Sequence, residues 1–276
     1  MKPGQASVTA QRVAAHRLTF DRIPARYGDP AADDALARDV AAAASVAAGP
    51  MREYLRARTR FFDRVVTRAL SRGIAQIVTC AAGYDGRSLR YARPGVLWFE
   101  VDHPATQQDK RARLDRLGID GGHLRFVAAD FTVDPVADLL ASAGLDPGRP
   151  SLFLLEGVAV YLQEAVLRSL LTQLRTLAAG GSGLAISLSV TSGSPERAAR
   201  RAAFQAAVAA VGEPARSVVE AADAAALLIA TGWQPRTVDP AQPDRPHGPG
   251  KQNKAFETTT TTTRGHAAGF ILATAA

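Results

Sequence analysis

Cysteine, lysine and aromatic residues are scarce in this sequence. Cys80 is the single cysteine among 276 residues, which excludes an internal disulfide, and its place at the end of an apolar run predicts a buried, inert thiol. Lysine occurs only four times, so arginine makes up most of the 33 basic residues and of the formal charge of +7. The arginines are spread along the chain without the interleaved aromatics of a base-stacking surface, and we expect no nucleic-acid partner.

Long hydrophobic runs and targeting signals are also missing. No stretch approaches the roughly 18 apolar residues of a membrane span, and the polar N terminus lacks the charged-then-apolar order of a signal peptide. The five histidines share no ligand spacing with carboxylates or thiols, so no metal site is predicted. Hydrophobic residues still make up 47% of the chain, enough for a full core. We expect a globular cytoplasmic protein, a monomer or a homodimer, with no membrane contact.

Residues 1–72 are predicted to be helical. The stretches 7–20, 33–48 and 51–70 read as helices, separated by Gly-Asp-Pro and Gly-Pro breaks. This region either packs against a sheet or caps a ligand pocket, and one helical layer can do both. We treat it as a cap within the same domain as the rest of the chain.

Residues 73–276 alternate between apolar runs and helical patterns, which is typical of an α/β fold with a parallel sheet. Helices are predicted over 103–117, 136–144, 163–178 and 218–230, with another opened by Ser194. The strands are predicted at 74–79, 96–101, 124–129, 151–155, 183–190, 233–238 and 269–274. The proline-rich and threonine-rich segment 240–264 is predicted to be a mobile loop.

The turn after the first strand favours one type of nucleotide ligand. Ala81 and Gly83 let backbone N–H groups approach a ligand, and Asp102 follows at the spacing of a ribose-binding carboxylate. A dinucleotide fingerprint needs a glycine at the first position, and we expect Asp85 to repel a pyrophosphate. The turn therefore disfavours a nicotinamide oxidoreductase and favours a cationic nucleoside without phosphates, of which S-adenosylmethionine is the commonest.

Acidic residues follow three successive predicted strands. Asp102, Asp130 and Glu156 each stand at a strand's carboxyl end. Ligands of open parallel sheets bind outside those ends. Each residue alone could be a helix cap or a solvated side chain, but together they predict one shared crevice.

Four motifs resemble the S-adenosylmethionine-dependent methyltransferases related to leucine carboxyl methyltransferase, including bacterial members attached to polyketide pathways. The resemblance covers about residues 7–177, and its clearest segments are YLRARTR at 54–60, AAGYDGR at 81–87, FEVDHP at 99–104 and EGVAVYL at 156–162. It implies a Rossmann-like α/β sheet of seven strands with the last strand antiparallel, under an N-terminal helical cap. It also implies S-adenosylmethionine as the cofactor.

The resemblance also implies roles for particular residues. The cofactor contacts it implies are Asp102 for the ribose, Asp130 and Phe131 for the adenine side, Arg58 for the carboxylate, Glu156 near the amino group, and Ala81 and Gly83 in the loop. An arginine fork suits a carboxylate, and an acidic group suits an ammonium. The chain departs from the family motif where Ala81 replaces the first glycine and Gly86 replaces a threonine.

We therefore predict an O-methyltransferase that acts on a small molecule. A carboxylate acceptor is already ionised and needs only a holder, for which Arg60 and Tyr161 are the candidates, whereas a hydroxyl acceptor needs a general base. No histidine is an obvious base from the sequence, which favours a carboxylate. Two alternatives stay open: methylation of a protein carboxyl terminus, and a non-catalytic member that binds the cofactor.

Overall fold

Seven strands form one mixed sheet in the computed structural model, which describes residues 6–42, 50–189, 202, 205, 221–236 and 268–275. The strands are β1 (Gln76–Cys80), β2 (Leu97–Asp102), β3 (Leu124–Ala128), β4 (Ser151–Leu155), β5 (Gly183–Ser189), β6 (Trp233–Arg236) and β7 (Ala268–Ala275). Their order is β3-β2-β1-β4-β5-β7-β6. β7 runs antiparallel to both neighbours, and the other pairings are parallel. The predicted sheet is confirmed.

The helices precede the sheet and then alternate with its strands. They are α1 (Val8–Arg17), α2 (Pro30–Ala41), α3 (Pro50–Ser71), α4 (Arg87–Arg90), α5 (Pro104–Arg116), α6 (Val136–Ser142), α7 (Glu164–Thr176) and α8 (Ala221–Ala230), with a 3-10 turn at Ala159–Tyr161. α2 begins before the predicted residue 33 because Asp29 caps it, accepting a hydrogen bond from Ala32 N at 3.0 Å. The predicted helix opened by Ser194 and the predicted loop at 240–264 lie outside the described residues.

The carboxyl ends of the strands form one edge of the sheet. β1 lies between β2 and β4 and is buried along its whole length, which explains its apolar sequence. From β1, the chain continues to β2 and β3 on one side of β1 in the sheet, and then returns to β4 on its other side. A ligand-binding crevice is therefore expected at the carboxyl end of β1. The loop after β1, the end of β2 and the residue after β4 all lie along this edge.

The N-terminal helices share a hydrophobic core with one face of the sheet. Side chains of α1, α2 and α3 pack with strand residues in a single buried cluster that includes Ala14, Leu36, Val40, Phe62, Val66, Ile77, Trp98 and Leu152. Burial of these apolar side chains holds the helices against the strands. Within the described part of the chain, every helix is too short or too polar to cross a bilayer.

Candidate active site

The loop after β1 passes through two residues with positive φ. Ala81 has φ 52° and Gly83 has φ 51°. Ala82 N donates to Val101 O at 3.2 Å, and Gly83 N donates to Asp102 Oδ2 at 2.5 Å, so the loop is attached to the end of β2. Ala81 therefore adopts a left-handed conformation that glycine adopts at much lower cost.

Asp102 ends β2 and is held by two backbone donors. Its Oδ2 accepts from Gly83 N, and its Oδ1 accepts from His103 N at 2.6 Å. Burial raises the pKa of Asp102 to about 6, although the two N–H groups favour the ionised form. Each carboxylate oxygen has a second lone pair. The group can therefore accept hydroxyl donors without losing its backbone bonds.

Asp130 forms a turn directly after β3, next to Asp102. Ala129 N donates to Asp102 O at 2.9 Å, which ties the two strand ends together. Asp130 Oδ1 accepts from Thr132 N at 2.9 Å and from Thr132 Oγ1 at 2.7 Å, and these bonds lower the pKa of Asp130. Phe131 is half-buried and packs against the core. Two of the three predicted strand-end residues thus lie at the ends of neighbouring strands.

Glu156 follows β4 and lies among three arginines. Its Oε1 accepts from Arg58 Nε at 3.0 Å, while its Oε2 accepts from Arg87 Nη1 at 2.5 Å and from Arg17 Nη2 at 3.3 Å. Burial alone would raise the pKa of Glu156, but the charges of Arg87, Arg17 and Arg58 lower it to about 2. Arg58 and Glu156, which were predicted as contacts to two different groups of the cofactor, therefore form an ion pair, with both side chains more than nine-tenths buried. We call Arg17, Arg58, Arg87, Asp85 and Glu156 the arginine cluster.

Asp85 belongs to the arginine cluster and does not act as predicted. Its Oδ1 accepts from Arg87 N at 2.9 Å, and its Oδ2 accepts from Arg87 Nη1 at 2.5 Å and from Arg17 Nη2 at 3.5 Å. Although burial would raise it, the charges of Arg17 and Arg87 hold the pKa of Asp85 below its usual range. The expected repulsion of a pyrophosphate was wrong, because two arginines balance this charge inside the protein.

Arg87 joins the arginine cluster to the N-terminal helices. Its Nε donates to Asp63 Oδ1 at 2.7 Å, and Asp63 also accepts from Arg22 Nε at 2.7 Å. Arg22 Nη1 reaches Asp33 Oδ2 on α2 at 3.1 Å. Because Arg87 and Asp63 are almost fully buried, removing either partner would leave an unpaired buried charge, which is strongly destabilising.

Arg17 has fewer partners than its burial requires. Its Nη2 makes the contacts of 3.3 Å and 3.5 Å to Glu156 and Asp85, and its Nε is buried with no hydrogen-bond partner among the described residues. A guanidinium carries five N–H donors. A buried donor without an acceptor is costly, and this one suits a further anionic group such as a carboxylate.

His16 immediately precedes Arg17 and is also buried. Burial lowers the pKa of His16, and the charges of Arg52 and Arg58 lower it further. Both effects favour the neutral form of the imidazole. Sequence analysis identified His16 neither as a metal ligand nor as an obvious general base. The residues the structure describes contain no group of three His, Cys, Asp or Glu side chains that could hold a metal ion.

The two predicted acceptor-site residues have different positions. Tyr161 is half-buried in the 3-10 turn that follows Glu156, so it stays close in the chain to the arginine cluster. Arg60 lies on α3 two residues after Arg58, and two helical positions differ by about 200° around the axis. Arg58 faces the protein interior, so Arg60 is not brought to the arginine cluster.

The second departure from the family motif has a packing reason. A Cβ at Gly86 would overlap the carboxylate of Asp33, which is buried on α2. Asp33 in turn accepts from Arg90 Nε and from Arg22 Nη1. Gly86 therefore makes room for a carboxylate of the N-terminal helices, where the family places a threonine side chain.

Comparison with known proteins assigns the chain to a family. The model of the leucine carboxyl methyltransferase family matches residues 8–175, more than half of the chain. A proposed S-adenosyl-L-methionine-dependent methyltransferase of Mycobacteroides abscessus is 37% identical over 134 residues, which are 47% of this chain and 44% of that protein. One from Mycolicibacterium paratuberculosis is 39% identical over 149 residues, which are 53% of this chain and 47% of that protein. The matched region spans about half the length of these relatives.

A solved structure supports the same fold. A proposed methyltransferase from Thermobifida fusca YX matches with a TM-score of 0.60 at 19% identity, covering 99% of this chain and 96% of that one. At that identity the likeness shows the fold alone. Together with the family match, it confirms the resemblance seen in the motifs: the chain belongs to the leucine carboxyl methyltransferase family of S-adenosylmethionine-dependent methyltransferases.

Proposed function

We propose that this chain transfers a methyl group from S-adenosylmethionine to the carboxylate of a small molecule of the natural-product type. The observation that carries the proposal is the arginine cluster. Arg17 and Arg58 are buried beside Glu156, and Arg17 retains a buried donor without a described partner. The family description, which names a carboxyl acceptor, supports the same acceptor chemistry.

The residues along the strand ends fit the parts of the cofactor. Asp102 would accept the ribose hydroxyls, since its two backbone donors leave lone pairs on both oxygens. Asp130 and Phe131 would contact the adenine side. Arg58 would hold the methionine carboxylate and Glu156 would contact the amino group, which leaves the Arg17 donor without a described partner for the acceptor carboxylate. Ala81 and Gly83 would form the loop beneath the ligand, as the resemblance implies.

Methyl transfer makes modest chemical demands on these residues. When bound, S-adenosylmethionine supplies an electrophilic methyl group on a sulfonium. The chain has to hold an acceptor oxygen within about 3 Å of it, in line, and to exclude water. An ionised carboxylate needs no base, so guanidinium and hydroxyl groups suffice to orient it. Tyr161, which follows Glu156 in the chain, stays the proposed hydroxyl for that task.

A hydroxyl acceptor is the second candidate, and His16 favours it. A neutral imidazole buried close to Arg58 could accept the proton that a phenol or alcohol must lose. Cationic neighbours keep the imidazole deprotonated and also lower the pKa of a bound phenol. The sequence alone did not indicate this residue, because its neighbours on α3 are about forty positions away.

The type of acceptor decides between the two candidates. Purified protein would be incubated with methyl-labelled S-adenosylmethionine and a matched set of aromatic and aliphatic carboxylic acids, phenols and alcohols, alongside peptides with a free carboxyl terminus. We expect labelled esters that release methanol in mild base, with a chemical step nearly independent of pH between about 6 and 8.5. His16→Gln should leave that step unchanged.

Three results would overturn the carboxylate proposal. A base-stable ether, whose formation climbs about tenfold per pH unit and is lost in His16→Gln, would establish a hydroxyl acceptor. Methylation restricted to the peptides would establish a protein carboxyl terminus as the acceptor. Tight binding of S-adenosylhomocysteine without turnover of any acceptor would identify a non-catalytic member of the family.

A further inference from the structure

The outward face of α3 carries arginines at every fourth position. Arg56, Arg60 and Arg64 follow one another at this spacing, and Arg68 continues it. Residues four apart on a helix are neighbours on its surface. Arg56 and Arg64 are exposed, while Arg60 is half-buried. We call Arg56, Arg60 and Arg64 the arginine ladder.

On three other helices, an outward-facing arginine forms an ion pair with an acid of the same helix. On α2, α5 and α7 an acidic residue stands four positions before an arginine and forms an ion pair with it, namely Asp34 with Arg38, Asp109 with Arg113, and Glu164 with Arg168. That order of charges stabilises a helix, whereas like charges at the same spacing destabilise it. If the ladder only reflected the arginine-rich composition, the other helices should carry similar rows of unpaired arginines. Because arginines on α2, α5 and α7 pair with acids, the ladder is a feature of α3.

Few acids in the described ranges pair with the ladder. Among these residues, the acid that forms an ion pair with it is Glu53, whose Oε2 is 3.8 Å from Arg56 Nη1. The other acid of α3, Asp63, is fully buried and bonded to Arg22 and Arg87. Arg60 and Arg64 form no ion pair with any residue that the structure describes.

We propose that the arginine ladder is a docking surface for a partner protein with an acidic helix or acidic segment. Arginine forks pair with carboxylates in defined geometry, and acids repeated at every fourth position of a helix would match the ladder. Arg56 and Arg64 are eight positions apart, about 12 Å at a rise of 1.5 Å per residue. The opposite face of α3 carries Arg58, so a docked partner lies about one helix diameter, ~10 Å, from the arginine cluster.

Two other anionic partners fit the surface less well. Membrane-surface helices insert large apolar side chains, and none of the exposed large hydrophobic residues in the described ranges lies on α3. Surfaces for single-stranded nucleic acid interleave aromatic residues with basic ones so that bases can stack. The only rings on α3 are Tyr54, Phe61 and Phe62, and none of them is exposed. Because no large apolar or aromatic side chain among the described residues of α3 is exposed beside these guanidinium groups, the surface suits the carboxylates of a protein better than a membrane or a nucleic acid.

The test compares two variants with the same loss of charge. Arg56→Gln with Arg64→Gln removes the ends of the ladder, and Arg38→Gln with Arg168→Gln removes two exposed arginines of other helices. The probe is a labelled helical peptide with glutamate at every fourth position, measured by fluorescence anisotropy, with a scrambled peptide of equal composition as its control. Duplex DNA and phosphatidylserine vesicles are measured alongside.

We expect the ladder variant to bind the peptide about tenfold more weakly than the parent and the control variant to lose less than about twofold. The scrambled peptide should bind more weakly than the ordered one. If both variants lost the same affinity for the peptide, binding would depend only on net charge, and the proposal would be overturned. Tighter, ladder-dependent binding of DNA or of vesicles would also overturn it, in favour of that other partner.

A stability measurement tests the remaining premise, that folding does not require the ladder. Arg64→Glu replaces two like-charge neighbours by two opposite-charge pairs, so the melting temperature should rise by about 2 °C. Binding of S-adenosylhomocysteine would confirm that this variant is folded. A clear fall in the melting temperature would show that the ladder serves the fold, and the docking proposal would then be abandoned.

Discussion

Replacing Ala81 by glycine should stabilise the protein. Ala81 has φ 52°, a left-handed conformation that costs a non-glycine residue about 1–2 kcal/mol. Glycine removes that cost but gives the unfolded chain more freedom, which offsets about 0.5–1 kcal/mol. The free energy of unfolding should therefore rise by about 0.5–1 kcal/mol. The cofactor should bind Ala81→Gly at least as tightly as it binds the parent, since glycine adopts the same loop conformation at lower cost.

Gly83 provides the matched control in the same loop. Its φ of 51° is almost that of Ala81, but a Cβ at Gly83 would lie 2.8 Å from the Cβ of Ala10 on α1. Gly83→Ala therefore adds both backbone strain and overlap with a neighbouring helix. We expect a loss of at least about 1–2 kcal/mol in the free energy of unfolding and weaker binding of S-adenosylhomocysteine.

Urea unfolding gives the free energies, and calorimetric titration with S-adenosylhomocysteine gives the affinities. The midpoints of unfolding should move in opposite directions for the two variants while the slopes stay equal. If Ala81→Gly unfolds at a lower urea concentration than the parent, the strain argument is refuted. If it stays as stable but binds the ligand clearly worse, the loop has been built around alanine and the analogy with the family glycine fails.

Three further predictions concern the site and the core. Affinity for S-adenosylhomocysteine should be constant above about pH 7, fall about twofold at pH 6 and about tenfold at pH 5 as Asp102 becomes protonated. Asp102→Asn should bind more weakly without this pH dependence, and a pH-dependent Asp102→Asn would contradict the assignment. Gly157→Ala places a Cβ 2.7 Å from Arg58 Nη1 and should displace Arg58, so affinity for S-adenosylhomocysteine should fall several-fold. If calorimetry showed no change in affinity, Arg58 would not contact the ligand. Trp98→Phe removes a buried Nε1 that has no partner among the described residues, while in Trp233→Phe the lost Nε1 donates to a backbone carbonyl at 3.0 Å. Trp233→Phe should therefore cost about 1–3 kcal/mol more in urea unfolding, and equal costs would contradict this account.

Much of the fold could be predicted because its signals are local. The fourth strand, Ser151–Leu155, matches its prediction at both ends, since a short apolar run between turn residues leaves few alternatives. The start of α2 was missed because the capping residue Asp29 precedes the apolar pattern by several positions. The strand-end carboxylates Asp102 and Asp130 were located from topology, which places the ends of parallel strands on one edge.

The arginine cluster could not be predicted, because its contacts join distant parts of the chain. Arg17 and Glu156 are 139 positions apart, and Arg87 and Glu156 are 69 apart. No spacing rule relates such residues. The charge of Asp85 was therefore interpreted as unbalanced. Arg60 was selected for its motif, although two helical positions separate it from Arg58 by about 200°.

The central claim is that the strand ends and the arginine cluster together form a site for S-adenosylmethionine. Calorimetric titration of the purified protein with S-adenosylhomocysteine and, separately, with NAD tests this claim most directly. We predict one binding site per chain for S-adenosylhomocysteine and no measurable heat with NAD. Asp102→Ala should weaken the first by about 1.5–3 kcal/mol, and Arg58→Gln should weaken it as well. Binding of NAD with the higher affinity, or an affinity for S-adenosylhomocysteine that neither substitution changes, would contradict the account.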